Sequence, residues 1–234
     1  MSREQIVATL RTSLASSRQW LANEAAKAAH APPPYVLPPA ADLVEQFVTE
    51  LSKLEVRPYH AADDEAALET VAQLLAERNA TQIIAWDLEQ IPLPGLSTLL
   101  AQQHVTILDS AVHGAVRKER LQTLEAAPVC ISGVAYAIAE SGSLVLHHGP
   151  GRPRLASLLA PAHIAIVRVE QLVRGLGEAL SLLRQQHGEA LFAETSNLTF
   201  ITGPSRTADI ELTLSLGIHG PPELHVVLIG TPHE

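Results

Sequence analysis

The chain has 234 residues, 47% of them hydrophobic, so it can bury the core of one domain, whereas two large domains are not expected. Its formal net charge is −9 and its 16 basic residues form no run, which argues against a nucleic-acid or anionic-membrane surface. The single cysteine, Cys130, excludes an internal disulfide and cannot by itself hold an iron–sulfur cluster.

The first residues carry charges of both signs and lack the apolar stretch of a secretory signal peptide. No apolar run in the sequence approaches the roughly 20 residues of a membrane span. We therefore expect a cytoplasmic protein whose partners are small molecules or other proteins.

Residues 2–29 are rich in alanine and place four aliphatic side chains at the spacing of one face of an amphipathic helix. These side chains are Ile6, Leu10, Leu14 and Leu21. Five prolines in the segment 32–39 end the helix and favour an extended chain. The sequence thus predicts an N-terminal helix and proline-rich linker, 1–39, before an α/β domain, 40–234. The extension either reaches a neighbouring chain or folds back on its own domain.

After the prolines, predicted helices alternate with short apolar strands. The predicted helices are Asp42–Leu54, Asp63–Arg78, Leu96–Gln103, Val116–Leu124 and Gln171–Gln186. The predicted strands are Glu55–His60, Gln82–Trp86, His104–Asp109, Pro128–Ser132, Leu144–His148, His163–Val169 and Glu223–Gly230. This alternation is typical of crossover units, so we predict an α/β fold, a three-layer open sandwich with a largely parallel sheet.

One carboxylate, Glu140, lies in an otherwise apolar stretch and is followed by Ser141, Gly142 and Ser143. A carboxylate in apolar surroundings is costly to ionise, a property that suits a general base or a nucleophile. Glu140 is therefore the catalytic candidate, and the three small residues are candidate ligand contacts. The alternative is a hairpin turn in which Gly142 takes a positive φ and Glu140 points to water.

The loop 147–154 carries two histidines and two arginines between glycines and prolines. Arg154 and its neighbour Arg152 offer bidentate contacts to a carboxylate or phosphate, and we predict Arg154 as a ligand contact. The histidines of the chain are not spaced as zinc ligands, so no metal is predicted in this chain.

Residues 199–229 gather hydroxyl, basic and acidic side chains between two strand-like runs. Pro204 suits the first turn of a helix, which places Arg206 at a helix N-terminus, where backbone N–H groups favour an anion. We predict a pocket for a small carboxylate or phosphate at the sheet edge shared with Glu140. Its further contacts are Thr202, Gly203, Ser205, Arg206, Thr207 and Asp209. The alternative is that the hydroxyl groups cap the helix and the acidic groups complement its dipole.

These residues resemble the LutC/YkgG family, the lactate utilisation protein C group built on the LUD domain. The resemblance rests on Ala137–Leu146, on Ser157–Leu159 with Pro161, His163 and Ile164, and on Ile201–Glu211 with Leu216–Pro221. It implies a fold similar to the NagB/RpiA/CoA transferase-like superfamily. It also implies a role in oxidising L-lactate to pyruvate beside partner subunits that carry iron–sulfur clusters, with no cofactor in this chain.

The resemblance leaves open whether the chain catalyses. The first hypothesis is an accessory component of a cytoplasmic L-lactate utilisation system that binds a small anion. The second is a regulatory module that binds a metabolite. The third is a free-standing enzyme of the CoA-transferase or sugar-phosphate-isomerase kind, because Glu140-Ser141-Gly142 looks like the glutamate-containing turn of class I CoA transferases.

Overall fold

The computed structural model describes residues 2–28, 42–110, 112, 117–188, 191, 197–208 and 214–231. The chain divides into two compact units, Met1–Pro34 and Tyr35–Glu234. The proline-rich linker of the sequence analysis lies outside the described residues.

The first unit contains helix α1, Arg3–Ala28, as the sequence predicts. Its large apolar side chains are all exposed, namely Ile6, Val7, Leu10, Leu14, Trp20 and Leu21. With about 3.6 residues per turn, these positions fall within less than half of the circumference of the helix. The helix therefore presents an exposed apolar stripe.

The described part of the second unit contains five α-helices, three short 3₁₀ helices and twelve strands. The α-helices are α2 (Leu43–Lys53), α3 (Asp64–Glu77), α4 (Leu96–Gln102), α5 (Arg117–Glu125) and α6 (Leu176–His187). The strands are β1 (Arg57–Ala61), β2 (Gln82–Ala85), β3 (Thr106–Ile107), β4 (Val129–Ser132), β5 (Tyr136–Ile138), β6 (Ser143–His148), β7 (Ala162–Arg168), β8 (Leu172–Val173), β9 (Asn197–Ile201), β10 (Arg206–Ala208), β11 (Leu214–Leu216) and β12 (Glu223–Ile229).

Six strands form a parallel sheet in the order β1-β12-β7-β4-β2-β3. Every neighbouring pair in it is parallel. The central strands β4 and β7 are apolar along almost their whole length and buried, as expected for a parallel sheet covered on both faces. The predicted α/β fold with a largely parallel sheet is confirmed.

A second sheet, in the order β8-β5-β6-β9, covers one face of the parallel sheet. Leu144 and Leu146 of β6 share a core with β4 and β7, whereas Val145 points the other way, into a smaller core with Ala179 and Leu183 of α6. The sequence predicts β6 but not this sheet. A short turn joins β5 to β6, so these two strands pair antiparallel, whereas parallel neighbours need crossover connections.

Helix α2 packs against the turn between β5 and β6 and against the loop that follows β9. The Asp42 carboxylate accepts hydrogen bonds from the backbone N–H groups of Val44 and Glu45, which fixes the helix start. Phe47 and Leu51 are fully buried, so the C-terminal end of α2 is held against the body of the second unit.

The predicted helix beginning at Pro204 is wrong. Residues 206–208 form β10, which pairs antiparallel with β11. The Ser205 N–H donates to Pro221 O at 2.9 Å, and the Gly217 N–H donates to Ser205 O at 3.0 Å. These bonds to residues distant in sequence replace the local bonds that a helix needs, so Arg206 is not at a helix N-terminus.

Candidate functional site

The Glu140 turn connects β5 and β6 and packs on α2. Glu140 is partly buried and its N–H donates to Arg174 O at 3.1 Å. Gly142 has a φ of 62°, and a Cβ there would lie 3.1 Å from backbone atoms of Glu50 and Leu51. Only glycine combines this φ with so close an approach to a helix backbone.

Hydroxyl groups connect this turn to the loop after β9. Ser141 Oγ donates to Ser143 Oγ at 2.8 Å, and Ser143 Oγ is 2.6 Å from Thr202 Oγ1. Gly203, with a φ of 92°, then turns the chain beside Leu54 at the end of α2. The structure thus brings together the two segments that the sequence analysis places at one site.

Arg206 contacts the C-terminal end of α2. Its guanidinium donates to Leu54 O at 2.7 Å and to the Glu55 carboxylate at 3.0 Å. The carbonyl end of a helix attracts cations, so these contacts have a structural explanation. Arg154 is exposed, and its carbonyl accepts from Ser157 Oγ at 3.1 Å.

Two predicted contacts fall partly or wholly beyond what the structure describes. Thr207 belongs to β10, but its side chain is outside the described part. Asp209 lies outside the described residues altogether.

A cavity of about 220 Å³ lies beside the amino ends of β7 and β12, between β9 and the segments that flank the β10–β11 hairpin. Its polar lining is Ser157, His163, Thr199, Thr202, Ser205 and His219. Its apolar lining is Leu158, Phe200, Ile201, Pro221 and Leu224, and Gly203 and Gly220 complete it. Three predicted contacts, Thr202, Gly203 and Ser205, line this cavity, whereas Glu140 and Arg206 do not.

His163 and Ser157 are the most deeply buried polar residues of the cavity wall, each 1% exposed, and His163 carries the titratable group. Its Nε2 lies 2.9 Å from Ser132 Oγ on the neighbouring strand. Burial lowers the pKa of His163 to about 3, with smaller contributions from His148 and His225. The imidazole is therefore neutral at physiological pH, and one of its ring nitrogens donates while the other accepts.

His148 contacts Thr199, another residue of the cavity lining. Its Nδ1 lies 3.3 Å from Arg152 O and its Nε2 lies 3.0 Å from Thr199 Oγ1. Burial lowers the pKa of His148 to about 4. Because a carbonyl oxygen can only accept, Nδ1 carries the proton and Nε2 accepts from the Thr199 hydroxyl, which orients that group at the cavity surface.

Sequence reasoning did not assign His148, His163, Ser132, Ser157 or His219 to a site. The sequence does contain one indication, the histidine in the apolar strand His163-Ile164-Ala165-Ile166. Because a buried polar side chain needs a hydrogen-bond partner, such a histidine indicates a second polar group nearby. The partner itself, Ser132, is 31 residues away and is visible only in the sheet register.

A second cleft of about 560 Å³ lies at the carboxyl ends of β2 and β3, where open α/β sheets usually bind ligands. Its lining includes Asp87, Glu89 and Asp109, and Asp109 pairs with Arg120. Carboxylates repel an anion, so a small acid is favoured in the uncharged cavity at the amino ends instead.

The described residues contain no group of three or more His, Cys, Asp or Glu side chains placed to hold a metal ion. No helix in the described ranges is both long and apolar enough to cross a membrane.

Residues 44–229 match the LUD domain family. Lactate utilization protein C of Halalkalibacterium halodurans is 34% identical over 156 residues, which cover 65% of this chain and 64% of that protein. Lactate utilization protein C of Bacillus subtilis is 35% identical over 112 residues, 48% of this chain and 46% of that protein. The chain thus spans less than two thirds of the length of these two relatives.

The fold has a counterpart among solved structures. A crystal structure of a DUF162 family protein from Deinococcus radiodurans superposes with a TM-score of 0.61 at 24% identity, covering 82% of this chain and 100% of that chain. This likeness shows a common fold. Since the family match extends over most of the second unit, the chain belongs to the LUD domain family.

Proposed function

We propose that the chain is a component of a cytoplasmic L-lactate utilisation system, in which L-lactate is oxidised to pyruvate together with partner subunits that carry iron–sulfur clusters. The observation that carries the proposal is membership of the LUD family together with similarity to several proteins named lactate utilization protein C. In this proposal the cavity beside β9 binds a small anionic ligand.

We assign the iron–sulfur clusters to the partners because of the cysteine chemistry of this chain. A cluster is held mainly by several cysteine thiolates, and the sequence contains one cysteine. Cys130 is fully buried in β4, and burial raises the pKa of its thiol to about 12. Its thiol therefore stays protonated and is not available as a ligand.

Helix α1 is the proposed contact with those partners. Its apolar stripe is exposed, and the helix carries four basic and two acidic residues in a chain whose net charge is −9. An apolar stripe on a basic helix fits an apolar groove that is edged by carboxylates. We propose that an iron–sulfur subunit provides such a groove.

A second candidate function is catalysis by Glu140. The observation that favours it is the hydroxyl chain from the Glu140 turn through Ser143 to Thr202, which lines the cavity. A ligand beside Thr202 would thus be connected to the Glu140 turn by this chain of hydroxyl groups.

Reconstitution tests both functions. The chain is co-expressed with the iron–sulfur subunits, and L-lactate-dependent electron transfer to a dye is measured with the wild type and with Glu140→Gln. If the chain is an accessory component, it co-purifies with the subunits and Glu140→Gln keeps at least about half of the rate. A fall of about 100-fold in Glu140→Gln with unchanged association would identify Glu140 as catalytic. No co-purification and no effect of the chain on the rate would contradict the proposed component role.

A further inference from the structure

The wall of the cavity beside β9 contains a polar group, the imidazole of His163, that is only partly hydrogen-bonded by the described residues. Nε2 of His163 is engaged by Ser132 Oγ, and no described residue hydrogen-bonds to its Nδ1. His163 lines the cavity, although the residue is 99% buried. Because His163 lines the cavity, a polar group of a ligand can hydrogen-bond to this second ring nitrogen.

The mouth of the cavity carries a second polar group. The Ser205 hydroxyl accepts a hydrogen bond from the His219 N–H at 3.3 Å, which fixes these two residues beside each other. His219 is exposed and Ser205 is partly buried. The lining contains no Asp, Glu, Lys or Arg among the described residues, so a carboxylate at the mouth would be held by hydrogen bonds to Ser205 and His219.

Between these two polar groups the wall is apolar. Leu158, Pro221 and Leu224 supply it, together with the backbone of Gly220. This wall suits the short hydrocarbon part of a ligand whose two ends are polar.

The size of the cavity limits the ligand. A volume of 220 Å³ corresponds to about seven water molecules. It accommodates an acid of about three or four carbons.

We propose that this cavity binds a short monocarboxylic acid with an oxygen on its second carbon, a 2-hydroxy or 2-oxo acid, with the carboxylate at Ser205 and His219 and the second oxygen at Nδ1 of His163. The inference rests on the proposed role in L-lactate utilisation for the choice of acid. The neutral state of His163 allows the same nitrogen to accept from a hydroxyl in one tautomer and donate to a keto oxygen in the other. The cavity therefore accepts both lactate and pyruvate.

The test is calorimetric titration of the purified full chain with L-lactate, pyruvate and propionate. Propionate has the same carbon chain but lacks the second oxygen. We expect dissociation constants of about 0.1–1 mM for L-lactate and pyruvate, and binding of propionate weaker by about tenfold, the effect of one lost hydrogen bond. Equal affinity for the three acids, or no binding of any, would overturn the inference.

Variants locate the site. A Cβ on Gly220 would meet Ser205 and Leu158 at ordinary contact distances of 3.7 and 3.8 Å, so a larger side chain at this position projects towards cavity residues without a clash at its Cβ. Gly220→Leu should fill the cavity and abolish binding, whereas His104→Gln on an exposed loop should have no effect. Undiminished binding by Gly220→Leu would place the ligand elsewhere.

His163→Ala tests the role of the buried nitrogen. It should lose the preference for L-lactate over propionate while circular dichroism shows a folded protein, and a retained preference would contradict the assignment. If this variant does not fold, the comparison of Gly220→Leu with His104→Gln decides. Failure of these titrations leaves the component role intact when reconstitution succeeds, so the two proposals fail separately.

Discussion

At the scale of single residues, the buried histidines connect the site to the stability of the protein. His148 and His163 are both enclosed between the two sheets, and burial holds their pKa values at about 4 and about 3. In the unfolded chain a histidine has a pKa of about 6.5. Between these values the unfolded state binds more protons than the folded state. The contribution of these two histidines to the free energy of unfolding is therefore complete above about pH 6.5 and is lost as the pH falls towards their folded-state pKa values.

We therefore predict that replacing His163 flattens the pH dependence of stability. Each fully buried histidine contributes a slope of up to about 1.4 kcal/mol per pH unit between about pH 6 and 4. Urea unfolding of wild type and His163→Gln between pH 7 and pH 4.5 measures it, with His104→Gln as the exposed control. The slope of the free energy of unfolding against pH should be smaller for His163→Gln than for the wild type, by up to the value of about 1.4 kcal/mol per pH unit that corresponds to one proton. The slope for His104→Gln should equal that of the wild type. Equal slopes for all three proteins would contradict the buried, neutral state of His163.

The residues of the site could be predicted only in part. Thr202, Gly203 and Ser205 carry a visible concentration of small and hydroxyl groups, and all three line the cavity. Arg206 has the chemistry of an anion contact, but the structure places its guanidinium against Leu54 O at the end of α2. Leu54 is 152 residues away in the sequence, so no local pattern predicts this contact.

At the scale of elements, local signals located most of the fold. The predicted helices Asp42–Leu54 and Asp63–Arg78 match α2 and α3 to within a residue or two, because aspartates cap both N-termini and the apolar periodicity is regular. The hairpin of β10 and β11 was not predictable in this way. The hydrogen bonds of Ser205, just before β10, join it to Pro221 and Gly217, which are distant in the sequence. Pro204 gives no further indication, because proline is as well suited to a turn before a strand as to the start of a helix.

The apolar stripe of α1 gives a prediction at the same scale. Leu10→Glu with Leu14→Glu places two charges within the stripe and should reduce co-purification with the iron–sulfur subunits by at least about tenfold. Thr12→Glu with Gln19→Glu adds the same charge on the opposite side of the helix and serves as the control. Pull-down and circular dichroism of both proteins are the measurements. Equal recovery of partners by both double variants would show that the stripe is not the contact.

At the scale of the whole molecule, the second sheet determines where a ligand can bind. The parallel sheet and the family resemblance follow from the sequence, whereas the stacking of two sheets depends on a tight turn at Gly142 and on contacts between β6 and β9. This stacking buries His148 and His163 and leaves a cavity at the amino ends of β7 and β12. The acidic cleft at the carboxyl ends, the usual ligand position in such sheets, is the less suitable place for an anion.

The most direct test of the central claim is growth of a strain in which the gene for this chain is deleted and the genes for the iron–sulfur subunits are intact. The strain should fail to grow on L-lactate as the sole carbon source, grow normally on pyruvate, and recover on L-lactate when the full chain is supplied in trans. Normal growth of the deletion strain on L-lactate, with no other lactate-oxidising enzyme expressed, would contradict that claim.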